Sequence, residues 1–406
     1  MKEIIRGQGE ELSCTVCGDA SRKALTVDAL GELLGPIIRE HYEQGAEVRR
    51  WGESDNDRDD WWEQEGEDLS FVVQEVLGQY FEFEGEIVDA VVGSEDVRPQ
   101  DGDVAFFDSS ANYVESHCSP ERYHREWNHV LHELKHKRRF FSSSAEALFK
   151  ALFEGVDAMK AWDRETKKHE SVVRELQQDM ELFRARRCDS RAALNEAFTN
   201  PFKHVGPPPA TRARAGRMNV EGVVVFYGAM DEETCLAETR PTLGGDSVMI
   251  TLSTTKPLRL LDFTRLDRSY STLSYFQPNF ADEAEKGEFL RRLGGLISQP
   301  IIPGRESDYL ITQTMAEYLA HVHEKPFDGI LFKSVQRAGG VNVVLFPDPG
   351  SPDESVNNAF PLSYVDGSIK LFSTRSIQYQ HTQRHAHLLD GEVSIYCDLF
   401  DEPDDL

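Results

Sequence analysis

Apolar residues recur at helical spacing through most of the first 165 residues. In "VDALGELLGPIIREHYEQGAEV" the positions Leu30, Leu33, Leu34, Ile37 and Ile38 form one face, and Pro36 within it predicts a kink or a split. "PERYHREWNHVLHELKHKRRFF" places Trp127, Val130, Leu131 and Leu134 on another face. "SSSAEALFKALFEGVDAMKAW" follows, with Ser142 to Ser144 as N-cap candidates. Between these, "SDNDRDDWWEQEGED" reads as a charged loop whose Trp61 and Trp62 tuck into the protein. A polar helix through "RETKKHESVVRELQQDMELFRA" is expected to link the halves.

From about residue 178 the period shortens. "GVVVFYGAM", "SVMITL", "LRLLDF", "DGILFKS" and "VNVVLF" read as short strands. "ADEAEKGEFLRRLGGLI" and "DYLITQTMAEYLAHVHE" read as helices between them. The expected fold class is α+β: a helical domain over residues 1–165, then a mixed, largely antiparallel α+β domain over 178–395. The acidic tail "DLFDEPDDL" is expected to fray.

Composition narrows the functional classes. A formal charge of −27 over 406 residues disfavours nucleic acid, whose binding draws on cations meeting phosphates. A mean hydropathy of −0.49 and the lack of a long apolar run argue against a membrane span. With no apolar leader at the start and only six cysteines, a reducing cytoplasm is the expected location.

Three motifs invite chemistry in the first half. Cys14 and Cys17 in "CTVC" have the spacing of half a zinc knuckle, with His117 and Cys118 as possible completing ligands. The alternative is a pair of reduced thiols. "HELKH" at 132–136 matches the H-E-x-x-H metalloprotease pattern, but Lys135, Lys137, Arg138 and Arg139 crowd it with charge. Chance is the better explanation. Arg125 and His132 loosely fit the arginine–histidine spacing of helical ribonucleases, a short and common pattern.

The second half has neither a G-x-G-x-x-G turn nor a Walker A loop, so any nucleotide phosphate must be held by side chains. Cations and hydroxyls stand near the strands: "LFRAR", "AGRMN", Tyr227, Glu238 and Ser334. Arginine suits pyrophosphate because its planar fork donates parallel bonds. Val223 to Phe226 read as a buried strand, and Asp231 opens a short helix that Pro241 must stop. Glu238 falls in the last turn of that helix, where the dipole disfavours a carboxylate. Such a placement is better explained by chemistry than by stability. Singly these residues are explained by surface ion pairs; together they favour an anionic ligand.

In order, "FRAR", "GPPPATRARAGRMN", "VFYGAMDEETCLAETRP", "LRLLDF", "DYLITQTMAEYLA" and "FDGILFKSVQRAGGVNVVLF" resemble the motifs of the RES domain, over roughly residues 178–350. The first part, through "CTVCG" and "HELKHKRRFF", resembles the HEPN-like domain found before RES domains. RES domains include bacterial toxins that deplete NAD, on a fold similar to that of ADP-ribosyltransferases. The resemblance implies NAD as substrate, with Glu238, Arg184 and Ser334 catalytic and Arg217, Tyr227 and Asn219 binding the nucleotide. Arg184 matches the arginine of the first strand, and Arg217 and Asn219 the G-R-x-N segment. Tyr227 matches the aromatic at the end of the next strand, Glu238 the A-E motif, and Ser334 the serine after the G-I-x-Y-x-S strand. This chain departs from the pattern at Phe332 for tyrosine, Val335 for serine and Gly228 for a bulkier residue.

The resulting expectation is an NAD glycohydrolase or phosphorolase acting as a toxin or defence effector. An antitoxin or regulatory protein is the implied partner, and the helical half the regulator. A mono-ADP-ribosyltransferase with a protein acceptor is the alternative from the same pocket. A non-catalytic sensor built on the helical half is the alternative of another class, in which Glu238 is dispensable.

Overall fold

The computed structural model describes the chain apart from residues 1–6, 8, 12, 14–22, 51–60, 79–83, 96–103, 117–119, 164–166, 271–272, 278, 299–305, 349–358, 378–384, 390–391 and 397–406. The acidic stretch 54–60 and the tail 398–406 therefore lie outside the described residues, as do Cys14, Cys17, His117 and Cys118. The chain is α+β, with helices prominent in its N-terminal part and a mostly antiparallel set of strands after it. It forms two compact units with interleaved segments. The first comprises residues 1–175, 215–220 and 259–333, and the second residues 176–214, 221–258 and 334–406.

In the first unit, Thr26 caps the Val27–His41 helix by accepting a hydrogen bond from the Ala29 amide, and Leu34 and Ile38 are fully buried one turn apart. Pro36 neither splits nor shortens this helix, which runs unbroken over 15 residues. The missing N–H is tolerated because the flanking Leu34, Gly35 and Ile38 are all buried in packing. Gly31 lies so close to the Glu84–Gly93 helix that a Cβ there would stand 2.4 Å from the Ala90 carbonyl oxygen.

The Glu121–His136 helix buries Tyr123, Trp127, Val130 and Leu134, whereas Leu131 is only half-buried. Ser142 caps the Ser143–Phe153 helix through the Ala145 amide, as the sequence predicts. These two helices meet the Phe280–Ser298 and Leu310–Glu317 helices, and a π-turn continues the latter over Tyr318–Val322. Trp127 contacts Phe149 and Phe289, and Phe149 and Phe153 meet Tyr318. Leu258–Asp262 and Gly329–Lys333 pair in parallel, Leu260 opposite Gly329. A parallel pair demands a long crossover, and the helices between them supply it.

Two local expectations fail here. Trp61 and Trp62 do not tuck in; they lie on the Trp61–Gln64 strand, 51% and 65% exposed. The polar linking helix is absent, and Lys168–Ser171, Val173–Leu176 and Glu181–Cys188 are strands. Lys168–Ser171 pairs with Lys160–Asp163, and Asp179 turns the chain with a φ of 67°. Partners distant in sequence overrode a helix-like local pattern.

The second unit is built on antiparallel strands. Glu181–Cys188 runs in full register against Asp246–Thr254, from Glu181 opposite Ser253 to Cys188 opposite Asp246. On its other side it meets Phe226–Ala229, which in turn pairs with Val341–Leu345. Leu362–Tyr364 and Lys370–Ser373 close the far edge on Asp246–Thr254. The strand predicted from Val223 starts only at Phe226, and Val223 is 39% exposed. The positive φ of Gly222 precedes it, and pairing begins where Phe226 meets Leu345.

Candidate functional site

Glu238 is the last residue of the Glu232–Glu238 helix, whose N-cap Asp231 accepts hydrogen bonds from the Thr234 amide and hydroxyl. Burial works against the Asp231 charge, but those bonds and Arg337 hold its carboxyl below the usual range. Two neutral donors meet the Glu238 carboxylate. The Ser334 hydroxyl donates to Oε1 at 2.6 Å, and the Asn342 amide donates to the same oxygen at 2.8 Å. Among the described residues Oε2 has no hydrogen-bond partner.

The Ser334 oxygen also accepts the backbone N–H groups of Gln336 and Arg337 at 3.1 and 3.2 Å. Both lone pairs are thereby occupied, and the hydroxyl proton must point at Glu238. Ser334 is thus built to orient the carboxylate, not to attack. No cation pairs with Glu238 among the described residues.

The loop after Ser334 is fixed to the start of the Glu238 helix. Arg337 bonds Asp231 and the Thr234 hydroxyl at 3.1 Å and Glu233 at 2.6 Å. A Cβ at Gly340 would stand 2.4 Å from the Thr234 hydroxyl oxygen, so the close approach of loop to helix requires glycine there. Asn342 escaped the sequence reading, although its signal is visible: it is the one polar side chain in "VNVVL". The nearby Cys235 is buried, and burial pushes its thiol up to about 12.

Arg184, on the Glu181–Cys188 strand, is tied to three backbone carbonyls. Its Nε donates to Val205 at 2.9 Å and Gly206 at 3.3 Å, and its Nη1 donates to Tyr227. Arg186, two residues on and therefore on the same face, donates to the Gly206 carbonyl at 3.3 Å. Burial, and then Arg186, lower the Arg184 pKa to about 10, which leaves it protonated at neutral pH. Burial and then Arg212 lower that of Arg186. No carboxylate pairs with Arg184, Arg186 or Arg212 among the described residues. In a chain of net charge −27, this is a local excess of positive charge. Tyr227 itself is half-buried opposite Val344. Gly228 is required sterically, since a Cβ would meet the Phe226 ring and the Phe183 carbonyl oxygen at 2.8 and 2.9 Å.

Arg217 and Asn219 belong to the first unit. The Gly216 amide bonds the Asn219 carbonyl at 2.9 Å, closing a turn. Gln313 donates to the Gly216 and Asn219 carbonyls at 2.7 and 3.0 Å, and Thr312 to the Arg217 carbonyl at 2.7 Å. Arg217 Nη1 reaches the Ile297 and Ser298 carbonyls at 3.3 and 3.0 Å, at the buried carbonyl end of the Phe280–Ser298 helix. Asn219 is buried, and its amide donates to the Val220 carbonyl at 3.1 Å. Arg217→Ala is therefore expected to cost about 1 kcal/mol of stability as a lost helix cap, read as a lowered urea midpoint. An unchanged midpoint would show that the cap is dispensable.

"HELKH" has a structural explanation. The Ser142 and Ser144 hydroxyls bond Glu133 at 3.4 and 2.5 Å, which commits its carboxylate to the start of the next helix. The His132 and His136 rings meet at a tilt, 4.8 Å apart on one helix face. Among the described residues no three His, Cys, Asp or Glu converge to hold a metal ion.

Residues 181–364 match the family model of the RES domain, which supports an NAD-related activity in general terms. No curated protein and no solved structure matched the chain. No helix among the described residues is long and apolar enough to cross a membrane.

Proposed function

We propose that this protein cleaves the bond between nicotinamide and ribose in NAD and transfers the ADP-ribosyl group to water or phosphate. The observation that carries this reading is the Glu238 carboxylate, oriented through Oε1 by Ser334 and Asn342 while Oε2 stays unpaired among the described residues. The RES match over the same segment supports it.

In this reading the electron pair of the C1′–N bond leaves with nicotinamide, which departs neutral. Positive charge then develops across C1′ and the ring oxygen of the ribose. A fixed carboxylate stabilises that charge in the transition state more than in the bound substrate, so its effect falls on the rate. The acceptor oxygen adds to C1′ and loses its proton to solvent. Arg184 holds a pyrophosphate oxygen from its remaining N–H groups, and Tyr227 packs on nicotinamide.

The N-terminal part is read as a regulator of a toxin or defence activity, because the residues with a coherent role in this chemistry lie after residue 180. The test is to incubate the full chain with NAD and follow nicotinamide, ADP-ribose and ADP-ribose 1″-phosphate, with and without phosphate. Release of nicotinamide is expected. NAD left intact under all conditions would reject the proposal, and label appearing on added protein would favour a mono-ADP-ribosyltransferase.

A further inference from the structure

The first unit holds a cavity of about 780 Å³ whose lining residues all lie outside the unit that contains Glu238. Its size falls in the range of small-molecule sites, roughly 300–1,000 Å³. The floor is aromatic: Tyr42 and Phe280 are 4% and 9% exposed, and Tyr275 stacks on Phe280 at 4.3 Å. The rim is acidic. Glu115 lies directly opposite Tyr42 and Glu67 opposite Tyr113 in the short sheet of Tyr42–Gln44, Asn112–Glu115 and Glu67–Asp68. Residues two apart on a strand share a face, so Glu67, Tyr113, Glu115 and Tyr42 share one here. Glu75 adds a third carboxylate from the Leu69–Leu77 helix.

Hydroxyls join floor to rim: Tyr42 and Tyr275 are 3.1 Å apart, and Tyr275 donates to Glu115 at 3.2 Å. Burial pushes both phenols up, Tyr275 to about 12, so they act as neutral hydrogen-bonding groups. Burial first, then Glu115 and Glu67, raise the Glu75 carboxyl. Arg291 and Arg292 also line the cavity, each engaged by Glu288, at 2.5 and 2.9 Å, and four carboxylates against two guanidiniums leave the lining net negative. The carboxylates do not converge as metal ligands would. Negative charge spread round an aromatic floor suits a cation with a hydrocarbon body, held by charge at the rim and by ring faces below.

We propose that this cavity binds a small organic ammonium ion, with its charge at Glu75 and Glu115 and its hydrocarbon part on Tyr275 and Phe280.

The test is calorimetric titration of the full chain with phenethylamine, tetraethylammonium and spermidine, using 2-phenylethanol and magnesium chloride as comparators. At least one of the three cations is expected to bind saturably, more weakly as salt is raised. The Glu75→Gln/Glu115→Gln variant is expected to bind at least about tenfold more weakly. That variant should melt no lower than the parent, since it removes repulsion. The proposal is overturned if none of the three cations binds, or if the double variant binds as well as the parent. It also fails if 2-phenylethanol binds equally, if magnesium displaces the cation, or if the variant melts well below the parent, which would make the carboxylates part of the fold.

Discussion

Glu238→Gln is expected to lower the rate of nicotinamide release from NAD by about 10²-fold or more while the protein keeps its melting temperature. The amide retains a carbonyl oxygen that accepts from Ser334 and Asn342, so the local structure has no reason to rearrange. The charge facing the ribose is lost. Because that charge acts on the transition state, kcat should fall and KM move little. A folded Glu238→Gln protein that turns over NAD at the parental rate would remove the carboxylate from the mechanism.

The second large effect is expected at Arg184. Its side chain satisfies the Val205, Gly206 and Tyr227 carbonyls from within a partly buried setting, so alanine leaves three acceptors short of donors. A loss on the order of 3 kcal/mol or more follows. NAD affinity should fall as well, because the cation beside Arg186 disappears. Arg184→Lys separates the two consequences. Lysine keeps the charge but not the planar fork, so it should recover part of the affinity and little of the stability. Parental stability in Arg184→Ala, by chemical denaturation, would show that the carbonyl contacts do not hold the strands together.

Much of this site was legible before the fold was known. Asp231 ahead of an acidic first turn, with Pro241 beyond, fixes a short helix, and the misplaced charge of Glu238 marked its end. The runs 247–252, 258–263, 328–334 and 341–346 supply strands because they are short and largely apolar, the first and last also rich in β-branched residues. What local pattern does not carry is partnership. Val172, Val173, Leu176, Met180 and Phe183 fit a helical period, yet cross-strand pairing with distant segments makes that region β. Asn342 serves Glu238 only because the chain brings together residues 104 apart. Likewise, Arg186 gains meaning from sharing the Gly206 carbonyl with Arg184, a meeting 20 residues along the chain.

The interleaving of the two units bears on how such a chain tolerates being cut or recombined. Phe289 and Tyr318 lie inside the span that matches the RES domain, yet their rings are covered by Tyr123, Trp127, Phe149 and Phe153 from the N-terminal part. Phe289 is 0% exposed and Tyr318 8% exposed under that cover. A stop or fusion point just ahead of the matched segment would therefore bare an aromatic surface that water penalises and a neighbouring molecule would cover. The borders of sequence likeness and the borders of the compact units do not coincide in this protein. Recombination that respects the first but not the second would yield chains prone to stick to one another.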